Sequence, residues 1–408
     1  MIVLVVNCGS SSLKYELFDT DAEQPLAGGL AERVGVNGGD EAVLEHEAAD
    51  ADEIVREMPM PDHEVALGAV LDILADDEVG VIDSLDAIEA VGHRVVHGGE
   101  KFTESVLIDD EVIAAIDEFS ELAPLHNPPN LTGIRACQKR LPGVPQVAVF
   151  DTAFHQTLQP RAYLYGLPYE IYEEHGVRRY GFHGTSHRYV TQVATRRLQE
   201  DHGIPPGDQK IITCHLGNGC SMAAVDGGSS IDTTLGFTPL EGLLMGTRCG
   251  DLDPAIVYFL MEKLDLDTTE LDRILNKESG LLGVSGVSSD MRDVKAAARE
   301  GNARAQAALD LFCYRVRKYI GAYAAVLEGL HAIVFTAGIG ENEPLIRAKS
   351  LEGLELMGIK EDVAKNEAVR KLPEGEDIAT DDSDVRIYVI PTDEELMIAR
   401  DTARVVQQ

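Results

Sequence analysis

Short apolar runs alternate with helical stretches along the chain, and this alternation predicts an α/β fold. The first apolar run covers residues 2–6 and leads into a Gly/Ser-rich turn at 7–12 and a second strand-like run at 13–19. This order of strand, turn and strand predicts a hairpin. Residues 1–7 contain neither a basic segment nor a small-residue cleavage site, so we interpret them as a buried strand and not as a signal peptide.

A second hairpin of the same kind is predicted near the middle of the chain, with strands at 210–216 and 221–227 around a Gly-rich turn at 217–220. The two hairpins lie about 200 residues apart, which is too far for a solenoid repeat and indicates duplication of a whole domain. Two related α/β domains facing each other would form a cleft, and such clefts are favoured sites for small molecules.

The rest of the pattern predicts further elements in less detail. Residues 20–85 are acidic and weakly patterned, and we interpret them as peripheral structure on the first domain. Elsewhere the pattern predicts helical structure over 255–275 and 294–330, a strand over 385–390 that ends at Pro391, and a last helix over 394–404. Thr392 or Asp393 is expected to cap the N-terminus of that helix.

Composition and charge restrict the class of protein and its partners. A chain of 408 residues is too long for one core and predicts two or three domains, and 44% hydrophobic with 26% charged residues is typical of a folded protein. No apolar run reaches the roughly 20 residues of a membrane span. The net charge of −35 makes nucleic acid and anionic membranes poor partners, and it reflects either a solvated surface or adaptation to a salty cytoplasm. Six cysteines without a Cys-x-x-Cys pair indicate reduced thiols in the cytosol.

The Gly-rich turns of the two hairpins are candidates for binding phosphate. A tight turn of glycine and small polar residues exposes backbone N–H groups that form an anion site. Ordinary hairpin turns are the alternative, and neither turn contains a Walker sequence. A third candidate is 333–342, where an apolar strand runs into Gly338-Ile339-Gly340 and a polar helix start, so that a ligand could approach the backbone closely.

Three charged side chains occupy positions that suggest chemistry. Arg94 lies in an apolar strand, where burial is costly unless the guanidinium meets an anion, so a ligand and a structural ion pair both remain open. Arg248 lies in a polar loop before a helix and could clamp a second anion. Asp151 follows an apolar strand, a position that opens toward the ligand crevice of α/β proteins, so it holds a metal, orients a substrate or caps a turn.

Two histidines, His183 and His187, lie four residues apart, but no nearby acid completes a zinc site. A single histidine that donates to an anion remains open. Phosphoryl transfer requires a phosphate cradle, a carboxylate that holds a cation and positive groups on the transferred oxygens, and this set of residues supplies each part.

Eight segments carry a resemblance to a known family, namely 7–15, 92–99, 122–130, 150–155, 180–187, 215–219, 338–342 and 391–395. Together they resemble the family of acetate and propionate kinases, over essentially all 408 residues. The resemblance implies duplicated ribonuclease-H-like α/β domains of the sugar-kinase, chaperone and actin superfamily, with a cleft between them. We place an acetate-side domain at 1–152 with 393–408 and a nucleotide-binding and dimerisation domain at 153–392. The resemblance also implies a cytoplasmic homodimer that phosphorylates acetate with ATP and Mg²⁺, with Mn²⁺ as a substitute.

The resemblance also assigns individual site residues. It implies a catalytic role for Asp151, His183 and Arg248, and magnesium binding by Asn7 and Glu394. It places acetate at Arg94, with its methyl group among Val96, Leu125, Phe182 and Pro239. The positions that match ATP contacts are Lys14, His215, Leu216, Gly217, Asn218, Gly219, Asp290, Met291, Arg292, Gly338, Ile339, Gly340, Glu341 and Asn342.

The chain departs from the family pattern at Cys8, where Ala or Ser is common, and at Asp393, where Asn is usual. The second departure adds a negative charge beside the metal position. Because acetate is already ionised at neutral pH it needs no base, so Asp151 is expected to orient an arginine or hydrated magnesium. The bulk of Val96 should make propionate a slower substrate. A kinase for propionate or another short-chain acid and a non-catalytic nucleotide-binding module are the alternatives.

Overall fold

The computed structural model describes residues 1–49, 51–370 and 372–408, and it contains two mixed β-sheets with helices packed against them. The prediction of an α/β fold is therefore confirmed. The strands are β1 (Ile2–Cys8), β2 (Ser12–Asp19), β3 (Gln24–Glu32), β4 (Val43–Ala48), β5 (Ile54–Glu57), β6 (Ala90–Val95), β7 (Val106–Leu107), β8 (Gln146–Phe150), β9 (Lys210–Leu216), β10 (Cys220–Asp226), β11 (Ser229–Thr233), β12 (Ala332–Thr336), β13 (Glu376–Asp377) and β14 (Arg386–Val389).

Fifteen α-helices lie in the described part of the chain, and none combines the length and apolar character that crossing a bilayer requires. They are α1 (His63–Leu74), α2 (Asp110–Glu118), α3 (Asn127–Arg140), α4 (Pro160–Tyr163), α5 (Tyr169–His175), α6 (Gly184–His202), α7 (Ala255–Leu264), α8 (Thr268–Lys277), α9 (Gly280–Ser285), α10 (Met291–Arg299), α11 (Ala303–Val326), α12 (Ala337–Asn342), α13 (Pro344–Leu351), α14 (Val363–Glu367) and α15 (Glu394–Val406).

The chain divides into two compact units. The first unit comprises Met1–Phe154 with Asp393–Gln408, and the second comprises His155–Thr392. The first unit thus extends two residues beyond the predicted limit of residue 152.

The sheet of the first unit has the strand order β5-β4-β3-β2-β1-β6-β8-β7. Strands β1 and β2 pair antiparallel with Asn7 opposite Lys14, which confirms the first predicted hairpin. Strands β1, β6 and β8 run parallel, so their carboxyl ends open at the same edge of the sheet. This edge carries most of the predicted site residues of the first unit.

The sheet of the second unit has the order β11-β10-β9-β12-β14-β13. Strands β9 and β10 form the second predicted hairpin, and β9, β12 and β14 run parallel. Each sheet therefore contains three consecutive antiparallel strands followed by two parallel ones, β3-β2-β1-β6-β8 in one unit and β11-β10-β9-β12-β14 in the other. This shared order supports the duplication that the two hairpins predicted.

The interpretation of residues 20–85 as peripheral structure was wrong. These residues form β3, β4, β5 and α1, and Leu44, Ala66 and Leu67 lie in the core with almost no exposure. The apolar alternation of β3 is interrupted by Gly28 and Gly29, so a pattern of period two could not reveal the strand.

Each of the two long helical segments contains a break. The segment 255–275 is divided between α7 and α8, because Asp265 adopts φ 54° after the first helix and Asp267 caps the second. The segment 294–330 is divided between α10 and α11 at Gly301, which has φ 92°. The last helix and the preceding strand β14 are confirmed, and Asp393 is the cap, because its carboxylate accepts a hydrogen bond from Leu396 N.

Helix α15 packs against β1, β6 and β8 within the first unit. A Cβ on Gly92 of β6 would lie 2.4 Å from Thr402 Oγ1 and 2.7 Å from Ile398 Cγ2, so glycine allows the helix to approach the sheet this closely. The close packing holds the N-terminal Glu394 of the helix within electrostatic reach of the charged groups at the strand ends.

Candidate active site

Arg94 and Asp151 form an ion pair at the carboxyl edge of the first sheet. Arg94 is the penultimate residue of β6, and Asp151 directly follows β8, the neighbouring parallel strand. Arg94 Nε donates to Asp151 Oδ1 at 3.1 Å and Arg94 Nη2 donates to Asp151 Oδ2 at 2.6 Å. This two-pronged geometry fixes the plane of the guanidinium. The Asp151 side chain is 1% exposed and that of Arg94 is 21% exposed, so the arginine keeps a face that a ligand can reach.

The charge of Arg94 is secured by its surroundings. Burial acts to lower the pKa of the guanidinium, but the carboxylates of Asp151 and Glu394 raise it above its ordinary value. The structural ion pair that was one alternative for Arg94 is present, and ligand binding by the same side chain stays a prediction.

Glu394 is the first residue of α15 and has a buried carboxylate oxygen. Its Oε1 has no hydrogen-bond partner among the residues that the structure describes. Burial raises the pKa of Glu394 to about 7, although Arg94 acts to lower it. A buried carboxylate oxygen without a partner is costly, and a hard divalent cation would satisfy it. The residue therefore fits its predicted role as a magnesium ligand.

A cluster of charges surrounds the predicted ATP contact Lys14. The Lys14 ammonium is hydrogen-bonded to Glu395, and oxygens of Glu16, Asp393 and Glu395 lie within 4.8 Å of one another. Sequence reasoning missed Glu16 and Glu395, although the strand register was a usable signal, since alternation places Lys14 and Glu16 on one face of β2. The unusual Asp393 belongs to this cluster, and as a helix cap it does what an asparagine could also do.

The residues predicted to contact the methyl group of acetate differ in burial. In the first unit Val96 is buried, whereas Leu125 is 59% exposed. The backbone N–H of Val96 donates to Asn130 Oδ1, and Asn127 brackets the backbone of the adjacent His97 with two hydrogen bonds. Both asparagines lie on α3 and were not assigned a role from the sequence. Their buried amides hold the loop that carries Val96.

In the second unit, His183 and Arg248 both lie beside Gly219. A Cβ on Gly219 would be 3.4 Å from His183 Cε1 and 3.5 Å from Arg248 Nη2, so the bare turn of the second hairpin brings both groups together. The His183 ring stacks on His215 with 4.2 Å between ring centroids. Arg248 Nη1 donates to the carbonyl oxygen of Pro239 at 2.7 Å, and burial lowers the pKa of the guanidinium.

Three separate segments predicted to contact ATP line one cavity of about 800 Å³ in the second unit. The predicted turn at 338–342 lies within helix α12, which starts at Ala337, so it is not an open turn. His215, Leu216, Gly219, Gly340 and Glu341 do not line the cavity, and Ser289 and Glu343 line it without having been predicted. The lining residues are Gly217, Asn218, Ser289, Asp290, Met291, Arg292, Gly338, Ile339, Asn342 and Glu343.

The remaining predicted residues also have defined places. Asn7 is the penultimate residue of β1, at the same sheet edge as Arg94. Phe182 is buried beside His183, and its carbonyl oxygen lies 3.1 Å from His155 Nε2. The structure thus assembles one charged group of residues within the first unit and another beside the cavity of the second.

The comparisons with known proteins agree with this arrangement. The acetokinase family model matches residues 2–400. The acetate kinases of Halothermothrix orenii and Alkaliphilus metalliredigens are 57% and 56% identical to the chain, and each alignment covers 100% of both proteins. The crystal structure of acetate kinase from Porphyromonas gingivalis is 48% identical and matches with a TM-score of 0.92 over 99% of both chains.

A structure of a propionate kinase from Francisella tularensis is also similar, with 41% identity and a TM-score of 0.90 over 99% of both chains. The family model matches nearly the whole chain, and two relatives above 50% identity align over its full length. The chain belongs to the acetokinase family.

Proposed function

We propose that the protein is an acetate kinase, which transfers the γ-phosphoryl group of ATP reversibly to acetate by direct in-line transfer and yields acetyl phosphate and ADP. The observation that carries the proposal is the meeting of His183 and Arg248 at Gly219, where Gly217 and Asn218 of the same turn line the 800 Å³ cavity. A nucleotide-binding module without catalysis has no need of two further anion-binding side chains at that place. The identities of 56–57% to curated acetate kinases support acetate as the acceptor.

The first unit binds acetate through Arg94. Asp151 holds the guanidinium with both carboxylate oxygens, which leaves the exposed face of the arginine oriented toward the substrate carboxylate. Asp151 has no proton to remove, because acetate is already an anion at neutral pH. Its role is to orient Arg94, and Val96 restricts the length of the acyl chain.

The second unit binds the nucleotide and stabilises the transferred group. The loop at Gly217 and Asn218 lies beside the N-terminal residues of α10 and α12 in the cavity, and backbone N–H groups at such places favour phosphate oxygens. His183 and Arg248 donate to the equatorial oxygens of the γ-phosphoryl group as charge redistributes. Positioning and electrostatic stabilisation of this kind supply most of the acceleration in phosphoryl transfer.

Magnesium is held at Glu394 and Asn7. The orphaned Oε1 atom of Glu394 supports this assignment, since a carboxylate and an amide oxygen are ligands that the ion accepts. When bound, Mg²⁺ neutralises negative charge on the phosphates of ATP.

The protein forms a cytoplasmic homodimer through α7. No residue of α7 is buried although most of the helix is apolar, and Tyr258 and Phe259 are 73% and 61% exposed. A second copy of the chain would cover this face. Phe259→Glu should halve the mass measured by sedimentation equilibrium, whereas Leu356→Glu, at another exposed apolar residue, should not. The six free cysteines are those expected of a reducing compartment.

Trapping the product with hydroxylamine tests the proposed reaction. With acetate, ATP and Mg²⁺, the chain should form acetyl hydroxamate in proportion to the ADP released. Binding of ATP without hydroxamate would contradict the proposal and favour the nucleotide-binding module. The alternative of a propionate kinase has a structural relative of that name at 41% identity. Comparing kcat/KM for acetate and propionate decides it, and a higher value for propionate would replace acetate as the natural acceptor.

A further inference from the structure

Behind His183 a chain of hydrogen bonds runs into the interior of the second unit. His183 Nδ1 lies 2.8 Å from Ser221 Oγ, Ser221 Oγ lies 2.7 Å from His187 Nε2, and His187 Nδ1 lies 2.7 Å from Thr213 Oγ1. Ser221, His187 and Thr213 are all fully buried. We propose that Ser221 is a positioning residue, which with His187 and Thr213 holds His183 in the tautomer that carries its hydrogen on Nε2.

The local fold explains why these four groups meet. His183 precedes α6 with φ 56° and His187 lies in the first turn of the helix, and both imidazoles reach the hydroxyl of Ser221. Ser221 lies on β10 and Thr213 on β9, the two strands of the second hairpin. The hairpin whose turn brings Gly219 to His183 thus also supplies the hydroxyl groups behind the ring.

The number of hydrogens that these side chains carry limits the chain of hydrogen bonds to two arrangements. Burial lowers the pKa of His187 well below its ordinary value, assisted by His155 and His215, so the ring is neutral and carries one N–H. In the first arrangement Thr213 donates to His187, His187 donates to Ser221, and Ser221 donates to His183 Nδ1, which leaves the hydrogen of His183 on Nε2. In the second arrangement every bond is reversed, and a neutral His183 has a bare nitrogen at Nε2.

The surroundings of the outer nitrogen select the first arrangement. His183 Nε2 lies 3.5 Å from the position of a Cβ on Gly219, at the same place as Arg248 Nη2, and the ring of His215 stacks against the His183 imidazole. A phosphoryl group offers only oxygen acceptors there, so a bare Nε2 would repel it, whereas an N–H would donate to it. This choice rests on the proposed phosphoryl transfer.

The decisive experiment combines kinetics with nitrogen-15 NMR of histidine in the full-length protein. Ser221→Ala removes the hydroxyl that discriminates between the two ring nitrogens. We expect kcat to fall roughly 10- to 100-fold, because without the Ser221 hydroxyl His183 carries its hydrogen on Nε2 only part of the time. The KM for acetate should change little. The His183 signal, located by its loss in His183→Gln, should change from the Nε2–H tautomer to a mixture.

Two further variants separate positioning from structural damage. Thr213→Val keeps the shape of the side chain but removes the far end of the hydrogen-bond chain, so it should produce a smaller shift in the same direction. Ser350→Ala removes another fully buried serine of the second unit, one that is not part of the hydrogen-bond chain behind His183. It should leave kcat and the His183 signal unchanged.

The outcomes are distinguishable. An unchanged tautomer and kcat in Ser221→Ala would overturn the proposal, and so would equal losses in Ser221→Ala and Ser350→Ala. If Ser221→Ala does not fold, Thr213→Val decides, and an unchanged His183 signal in that variant would overturn the proposal. If the wild-type chain forms no acyl phosphate but its His183 shows the Nε2–H tautomer and loses it in Ser221→Ala, the proposed function fails while the positioning role stands.

Discussion

The two arginines of the candidate site are held in opposite ways. Arg94 in the first unit meets both oxygens of the buried Asp151 carboxylate. Arg248 in the second unit donates to the neutral carbonyl oxygen of Pro239, and the described residues include no carboxylate in an ion pair with it. The pKa of Arg94 is raised above its ordinary value and that of Arg248 is lowered by burial.

This difference separates two tasks that both require positive charge. An arginine that is already paired is fixed in orientation and suits a substrate whose charge is the same before and during the reaction. An arginine without a carboxylate has a stronger field and suits charge that develops or moves in the transition state. We therefore expect Arg94 to govern binding and alignment of acetate and Arg248 to govern the rate of transfer.

The largest effect should follow removal of the unpaired arginine. Arg248→Ala should lower kcat by about 10³-fold, as expected for an arginine that stabilises a transferring phosphoryl group. Steady-state kinetics with both substrates varied provides the measurement, and KM should change much less. Arg248→Lys is the matched variant that keeps the charge and loses the planar fork, and it should recover part of the rate. A rise in KM at constant kcat would contradict the assigned role.

The next prediction concerns stability, for which the loss of Arg94 should have a larger effect than the loss of Arg248. Arg94→Ala leaves the Asp151 carboxylate buried without its partner and should lower the free energy of unfolding by about 3 kcal/mol. Arg248→Ala removes a charge without a carboxylate partner and should change it by less than about 1 kcal/mol. Urea unfolding measures both values.

A double-variant control isolates the ion pair. Arg94→Met combined with Asp151→Leu removes both charges and should recover much of the stability lost in Arg94→Ala, because no buried charge remains unpaired. Equal losses for Arg94→Ala and Arg248→Ala would show that the contrast between the two arginines is not energetic.

Glu394, which together with Asp151 raises the pKa of Arg94, also leads to a prediction about pH. Because burial raises the pKa of Glu394 to about 7, the metal-free carboxyl is mostly protonated below pH 7 and must lose its proton before it binds a cation. The Mg²⁺ concentration for half-maximal rate should therefore rise about tenfold per pH unit below pH 7 and level off above it.

Calorimetry in buffers of different ionisation enthalpy provides an independent measurement of the same event. At pH 6 the binding of Mg²⁺ should release close to one proton, and Glu394→Gln should abolish that release. No proton release at pH 6 in the wild-type chain would remove Glu394 from the metal site.

The sequence predicted those parts of the site that depend on local order along a strand. The position of Asp151 directly after an apolar strand predicted its place at the sheet edge, and the Gly-rich hairpins predicted the duplicated sheets. Contacts set by long-range register could not be read in this way. The hydrogen bond between His183 and Ser221 depends on how α6 packs against the second sheet, and the exposure of Leu125 depends on a loop with no periodicity.

The smallest effect should lie on the acetate side, beside the paired arginine. Val96→Ala removes two methyl groups from a buried side chain and should raise kcat/KM for propionate relative to acetate by roughly tenfold, within the 1–3 kcal/mol that such a pocket discriminates. Leu125→Ala is the comparison, because Leu125 is predicted beside the same methyl group but is 59% exposed, so its truncation should alter the ratio less. If Leu125→Ala shifts the ratio as much as Val96→Ala, the leucine must become buried when substrate binds, and the acetate side would then be less preorganised than the fixed Arg94 indicates.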